Sequence, residues 1–513
     1  MAVAKVYTGT IVGLKPIPIT VEVNIESRGF PAFNIVGLAS KEVEESKLRI
    51  RSAIFNSNLD FPTKDKITVN LAPANIPKGG SLYDLPIAIG ILKATGQIGE
   101  SILDKSLFMG ELSLDASIKG VNGVAVIGDL TDSKKFKYVY IPKDNQKELS
   151  LVSKKIIKRN VSSLAQVVYH LKGVNIIYPS ENQAVSLGTK YDILLEDIQE
   201  QTQAKRAITI AAAGGHNVAL SGPPGTGKSM LAKAMQSILP NLTLNEAKEV
   251  MRIKSIIGEV DENYLNRPFR SPHHTISRVG MVGGGTKIKP GEITLAHRGV
   301  LFMDEMNEFP RSVIESLRQP LEDRKINISR AQGNFTFPAS FSLVVANNPC
   351  PCGYLNSNIR ECTCKIGDIK RYQKRISGPM WDRIDIFVTM KEFNVKDIRL
   401  KQKEKDYGKY TKKIKALVEK ARKIQKERYK KYGNKTNAEQ PNKIILEKAN
   451  ITKLAKSTLD FSTDKFGISP RGYFRVIKVA RTIADLDESK KVKEKHVLEA
   501  LTFRNNQGNN IEF

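Results

Sequence analysis

The run Gly222, Pro223, Pro224, Gly225, Thr226, Gly227, Lys228, Ser229 constrains this chain more than any other stretch, because it fits G-x-x-x-x-G-K-[ST]. Glycines at these spacings let backbone N–H groups close around phosphate oxygens at a helix N-terminus. The flanks agree: Asn217 to Leu220 is a short apolar run that predicts a strand, and Lys228 to Leu239 has the periodicity of an amphipathic helix. With 36 glycines in 513 residues, a chance match is expected on the order of a few hundredths of a time per chain. The pattern predicts ATP as ligand, with Lys228 on the β- and γ-phosphates and Ser229 on Mg²⁺.

Two downstream runs complete such a site. Gly299-Val-Leu-Phe-Met-Asp-Glu305 reads as an apolar strand ending in two acids. Asp304 is expected to hold Mg²⁺ and Glu305 to polarise the attacking water. Phe341 to Ala346 predicts a third strand, ending in Asn347-Asn348-Pro349, and Asn348 is the candidate to orient water or the γ-phosphate. By itself Asn-Pro is ordinary turn chemistry.

The length favours three or four domains. Residues 1–174 read as one compact α/β domain, with Thr20 to Ile25 alternating with period two and Lys41 to Asn58 helical. Residues 175–195 read as a linker, 196–390 as a parallel sheet covered by helices and opened by a helix from Ile198 to Ala213, and 391–513 as a basic segment and a helical lid. No apolar run reaches the ~18 residues that span a bilayer, and residues 1–23 lack a signal-peptide pattern, so the expected location is cytoplasmic, with no membrane contact. A net charge of +28 favours a polyanionic partner, nucleic acid or an acidic membrane surface.

All four cysteines, Cys350, Cys352, Cys362 and Cys364, fall within fifteen positions, too local for the disulfides of a secreted fold. Two C-x-C pairs supply enough thiolates for one tetrahedral zinc ion; reduced core cysteines and an iron–sulfur or redox centre are the alternatives. His273, His274 and His297 read as packing or phosphate-contact residues rather than metal ligands.

The ordered series Ser221 to Ser229, Arg270-Ser-Pro-His-His-Thr, Lys289-Pro-Gly-Glu-Ile-Thr-Leu-Ala-His, Leu301-Phe-Met-Asp-Glu and Asn348-Pro-Cys-Pro-Cys-Gly resembles the magnesium-chelatase-like AAA+ ATPases, and among them the bacterial ComM/YifB group. Gly79 to Ala88 and Val479 to Leu486 extend the resemblance to nearly the whole chain. It implies an α/β multidomain fold: an N-terminal domain like that of Lon protease and ribosomal protein S5, an AAA+ core and a helical lid. It also implies that Arg383 is an arginine finger for the neighbouring subunit's γ-phosphate, that Arg471 senses nucleotide from the lid, and that the assembly is a homo-hexamer. Arg330 is a third, weaker arginine candidate. Met380-Trp381 departs from the two smaller aliphatics expected there, a change of packing rather than of chemistry.

The likeness to Lon raises ATP-dependent proteolysis, which the residues oppose. Ser81 lies too close to the glycines to be the nucleophile, and Val124-Ala125 stands where the partner lysine belongs. DNA contacts are expected in a flexible basic loop containing Arg278, Lys287 and Lys289, and in a hairpin from Lys325 to Ser340 containing Arg330 and turning at Gln332 to Asn334. Residues 391–440, with 18 Lys/Arg against 7 Asp/Glu and tyrosines 407, 410, 429 and 432, form a further candidate surface. The resemblance implies an ATP-driven translocase or helicase on single-stranded or branched DNA, promoting branch migration during natural transformation with recombination proteins as partners. The alternative is a chelatase-type ATPase that remodels proteins.

Overall fold

Two sheets of different strand order organise the computed structural model, which describes residues 3–504 apart from 28, 101, 133–134, 150–155, 181–190, 261–262, 286–287, 331–332, 356, 358–359, 393–406 and 434. Packing divides the chain into two units, Met1–Leu187 with Thr243–Tyr264, and Gly188–Leu242 with Leu265–Phe513.

In the first unit β1 (Ala4–Val12) and β2 (Lys15–Glu26) form a long hairpin in which Ala4 pairs with Val23 and Val12 with Lys15. The period-two pattern is realised: Ile19, Val21 and Val23 are buried while Glu22 and Asn24 lie on the half-exposed face. With β3 (Ala32–Val36), β4 (Lys66–Ala72), β5 (Ser106–Phe108), β6 (Tyr138–Pro142) and β7 (Ile157–Val161) the order is β3-β4-β2-β1-β5-β6-β7. Helix α1 (Lys41–Asn56) buries Val43, Ile50 and Ile54 on one stripe. Helix α2 (Asp84–Ala94) is buried along nearly its whole length, and a Cβ on Gly90 would stand 2.7 Å from Val23 Cγ2, so only glycine permits that approach to β2. Asp84, at the start of α2, accepts from Arg49 at 2.7 and 3.1 Å; burial still pushes its carboxyl up to about 6.

The helix Leu244–Ile257, capped by Thr243 and Glu246, belongs to this unit although it interrupts the second in sequence. Ser255 carries the attachment: its carbonyl accepts from Gly123 N at 2.8 Å, and its hydroxyl pairs with the buried Glu148. Ala125, where the likeness to Lon would require lysine, donates its N–H to Glu148 at 2.9 Å, and the Ser81 hydroxyl pairs with Glu111.

The second unit contains α4 (Thr202–Gly214), β8 (Val218–Ser221), α5 (Lys228–Ile238), β9 (Phe269–Arg270), β10 (Val300–Met303), β11 (Lys325–Arg330), β12 (Gly333–Pro338), β13 (Ser342–Asn347) and β14 (Ile386–Thr389); α3 (Leu164–Leu171) belongs to the first. The sheet runs β9-β10-β13-β8-β14 with every pairing parallel; β10 and β13 are buried on both faces, β8 and β14 nearly so, and the edge strand β9 is half-buried. Asn217 fixes the strand starts: its N–H donates to Asp385, its amide nitrogen to the Arg383 carbonyl, and its amide oxygen accepts from Leu343 N, each at 2.9 Å. The C-terminal region is helical: α6 (Lys409–Arg428), α7 (Lys453–Phe466), α8 (Pro470–Leu486) and α9 (Glu494–Thr502). Arg422 and Gln425 of α6 donate to the last carbonyls of α4, at Ala212 and Ala213, and so tie the helical region to the sheet domain. Among the described residues no helix is long and apolar enough to cross a membrane.

Candidate active site

Parallel pairing aligns the carboxyl ends of β8, β10 and β13, since Ser221 pairs with Asn347 and Met303 with Val345. The phosphate loop leaves β8 there, at the edge where open α/β sheets bind ligands. Gly225 (φ +80°) and Gly227 (φ +86°) take left-handed conformations, so the turn into α5 needs glycine at both. Thr226 braces the loop by donating to the Pro223 carbonyl at 2.9 Å.

Lys228 is buried, and its ammonium donates to the Gly222 carbonyl at 2.6 Å, the Pro223 carbonyl at 2.8 Å and Asn348 Oδ1 at 3.1 Å. All three acceptors are neutral. Burial therefore pushes its pKa down to about 8, and the attraction of Asp304 and Glu305 offsets this only in part. A buried cation among neutral dipoles at the neck of a glycine loop suits a polyphosphate. Ser229 Oγ donates to Asp304 Oδ2 at 2.6 Å, which sets a hydroxyl and a carboxylate side by side, the hard oxygen donors that Mg²⁺ prefers. Glu305 is exposed and takes φ +51°, unusual for a residue with a side chain, while its N–H donates to Asp304 Oδ1 at 3.1 Å. Beside Asn348, Asn347 Oδ1 is buried without a hydrogen-bond partner. A cavity of about 710 Å³ opens next to the loop, lined by Ser221, Asn348, Gln373, Trp381 and Thr389 among others. Lys228, Ser229, Asp304 and Asn348 are thus brought together as the motifs predict, and the donors fit ATP with Mg²⁺.

The two arginines form a separate group. Arg383 is buried, donating to the carbonyls of Arg318 at 2.9 Å and Pro379 at 2.6 Å and pairing with Glu322 at 2.8 Å. Arg471, more than half exposed, pairs with the same Glu322 at 3.4 Å. Neither is paired with Lys228, Asp304 or Glu305. Glu322 escaped the sequence reading because no motif surrounds it. Met380 is buried and Trp381 packs against Phe387 with ring centroids 5.9 Å apart, so this pair serves packing.

The four cysteines converge: their sulfurs all lie within 4.8 Å of one another, a donor set compatible with zinc. His297 is a packing residue, its Nδ1 accepting from Ser340 N at 3.0 Å, and the His273 and His274 rings lie tilted against each other with centroids 4.1 Å apart.

Of the expected nucleic-acid elements, the loop from Arg278 is more regular than predicted, and the hairpin from Lys325 forms with a shifted turn. The stretch from Arg278 forms a short helix, Arg278–Val282, capped by Ser277, followed by pairing of Gly283–Gly284 with Lys289–Pro290, because the cap and the ladder satisfy backbone groups that a flexible loop would leave to water. Lys287 lies outside the described residues. β11 and β12 pair as far as Arg330 with Gly333, so Gly333 and Asn334 belong to the second strand instead of the turn, whose residues 331–332 lie outside the described residues. Arg330 approaches the other element: a Cβ on Gly284 would stand 3.5 Å from its guanidinium. Arg278, Lys289, Lys325 and Arg330 are all exposed. Of the four tyrosines of residues 391–440, Tyr429 is buried and bonds to Asn437, whereas Tyr407 and Tyr410 are exposed, the Tyr407 hydroxyl donating to Asp197 at 2.8 Å.

Comparison with known proteins gives three family matches: magnesium chelatase, subunit ChlI, over residues 194–398; subunit ChlI of Mg-chelatase over 21–145; and magnesium chelatase, subunit ChlI C-terminal, over 408–504. The competence protein ComM of Haemophilus influenzae is 41% identical, with 98% of each chain covered. The YifB protein of Escherichia coli K12 is 40% identical over 98% of this chain and 97% of its own. Lon protease 2 of Bacillus subtilis is 30% identical over 153 residues, 26% of each chain.

Proposed function

Because the chain belongs to the ComM/YifB group of the magnesium-chelatase-like AAA+ ATPases, we propose that it hydrolyses ATP as a cytoplasmic homo-hexamer and uses the energy to move along DNA, driving branch migration in homologous recombination during natural transformation. The observation that carries the ATPase step is the buried Lys228 ammonium, held only by neutral acceptors beside Ser229, Asp304 and Glu305.

Lys228 exchanges its carbonyl partners for β- and γ-phosphate oxygens, and the N–H groups of Gly225 to Ser229 share that load. Ser229 and Asp304 would hold Mg²⁺, which when bound neutralises charge on the phosphoryl oxygens. Glu305 takes the proton of the attacking water, and Asn348 orients that water against the γ-phosphate. Arg383, released from Glu322, reaches the neighbouring subunit's nucleotide; a finger of this kind is worth on the order of 10³ or more in rate. Arg471 of the lid reports nucleotide occupancy through the same glutamate. The four cysteines hold a structural zinc ion.

DNA is the proposed track because the chain carries a net charge of +28 and because Arg278, Lys289, Lys325 and Arg330 are exposed on the two small β elements that meet at Gly284. ComM, 41% identical, is named for competence, and recombination proteins are the partners this role implies. The matching magnesium chelatase subunit family favours a second reading, a protein-remodelling ATPase. ATPase assays with single-stranded and branched DNA separate the two: stimulation that fades steeply with salt supports the translocase, and indifference to DNA supports the remodeller.

A further inference from the structure

The stretch from Cys350 to Cys364 contains no helix or strand among its described residues, so it lacks the ladder bonds that would hold its shape. Its four sulfurs nevertheless converge. Cys350 Sγ stands 3.4 Å from Cys352 Sγ and 3.7 Å from Cys362 Sγ, Cys352 and Cys362 are 3.6 Å apart, and Cys364 Sγ accepts from Cys352 N at 3.3 Å. Four sulfurs bound tetrahedrally at ~2.3 Å from one ion lie about 3.8 Å from each other. That spacing suits a single ion; a multi-iron cluster with bridging sulfides holds its thiolates further apart. Four soft donors with no carboxylate among them select zinc over magnesium or calcium.

This loop is built onto the nucleotide site. Gly353 (φ +86°) lies against the phosphate loop so closely that a Cβ would stand 2.7 Å and 2.8 Å from Pro224 Cδ and Cγ, and 3.8 Å from Asn348 Cγ. Asn348, two residues before Cys350, accepts the N–H of Lys228, and Gln373 pins the intervening Pro349 carbonyl at 3.1 Å. The thiolate loop therefore touches the phosphate loop through Pro224 and reaches the phosphate-binding lysine through Asn348.

We infer that the four-cysteine site is a zinc-dependent latch: one ion fixes the loop that presses Gly353 on Pro224 and sets Asn348 against Lys228, so that metal occupancy controls affinity for the nucleotide's phosphates. Cys350, Cys352, Cys362 and Cys364 are the ligands, and Gly353, Pro224 and Asn348 are positioning residues. The latch rests on the ATP-binding reading of the same site. Losing the hydrogen bond by which Asn348 positions the Lys228 ammonium, a bond to a charged group, is expected to weaken nucleotide affinity on the order of tenfold.

The test uses the full-length protein, metal analysis and a fluorescent ATP analogue with Mg²⁺. One zinc per chain is expected. Cobalt(II) replacing it should give the intense visible absorption of tetrahedral thiolate coordination. Stripping zinc with a chelator should weaken analogue binding about tenfold, and zinc alone should restore it. Gly353→Ala leaves the ligands intact and forces the loop off Pro224; it should keep its zinc and lose a similar factor in affinity. The latch is overturned if the protein holds no zinc, if it holds an iron–sulfur cluster, or if stripped protein and Gly353→Ala both bind the analogue as tightly as the original. Failure of the zinc-replete protein to bind the analogue at all overturns the ATP-binding reading and the latch with it, and is distinguished by normal zinc content.

Discussion

Ser229 Oγ and Asp304 Oδ2 stand 2.6 Å apart, joined across 75 residues of sequence by the parallel alignment of β8, β13 and β10. Under the proposed function the pair would supply oxygen donors for Mg²⁺ at the strand ends. Asp304→Asn keeps the size and removes the charge, so kcat is expected to fall at least about 100-fold, with the Mg²⁺ concentration for half-maximal rate raised. Steady-state hydrolysis over a Mg²⁺ series measures both, and an unchanged Mg²⁺ dependence takes Asp304 out of the metal site.

Glu305, exposed and in the left-handed region at φ +51°, is held toward the site by backbone geometry rather than by side-chain partners. Glu305→Gln should bind ATP within about threefold of the original affinity while turnover drops by about 10²–10⁴. Binding and single-turnover assays on one preparation decide it; full turnover in the variant excludes the general-base role.

The Lys228 pKa of about 8 gives nucleotide binding a pH dependence. Phosphate needs the protonated amine, so affinity should be flat below pH 8 and weaken as pH rises through it, the inflection moving upward when phosphate is bound. The sign for stability is opposite. The unfolded chain keeps this proton to the ordinary value of 10.5, so between about 8 and 10.5 it binds more protons than the folded chain, and this group's contribution to stability rises with pH. Lys228→Arg, which stays charged, should remove the inflection in affinity; its persistence would assign it to another group.

Glu322 pairs with both Arg383, at 2.8 Å, and Arg471, at 3.4 Å, so under the proposed function it would withhold the finger in this arrangement. Arg383→Ala should retain ATP binding and lose about 10³-fold or more in kcat. Mixing it with Lys228→Ala subunits should recover part of the activity, since every interface in which the Arg383→Ala loop faces a Lys228→Ala neighbour's arginine joins an intact loop to an intact finger, while the reverse orientation lacks both. No recovery on mixing argues against a finger acting between subunits. Glu322→Ala should free both arginines and raise the basal kcat with little change in ATP affinity; an unchanged or lowered basal rate argues against a withheld finger.

The phosphate loop, the acidic strand end and Asn348 were readable from sequence because each is a short motif at a strand tip, and parallel pairing has few ways to arrange them. The convergence of the four sulfurs followed from spacing as well. Glu322, Asn217 and the contact of Gly353 with Pro224 were not readable: each depends on tertiary proximity with no local signature. The helix Leu244–Ile257 was hidden for the same reason, since nothing in its amphipathic pattern says which core it joins. The hairpin from Lys325 was legible as such, yet the order of the loop from Arg278 was underestimated, because a Ser277 cap and a two-residue ladder leave little periodicity to detect.

The most direct test is the ATPase rate of the purified full-length protein with and without branched DNA, across a salt series. The account predicts hydrolysis that DNA stimulates several-fold and that loses this stimulation steeply as salt rises, with Arg330→Ala and Lys325→Ala reducing the stimulation but not the basal rate. No ATP hydrolysis under any of these conditions would contradict it at its root, and hydrolysis indifferent to DNA at every salt concentration would contradict the translocase.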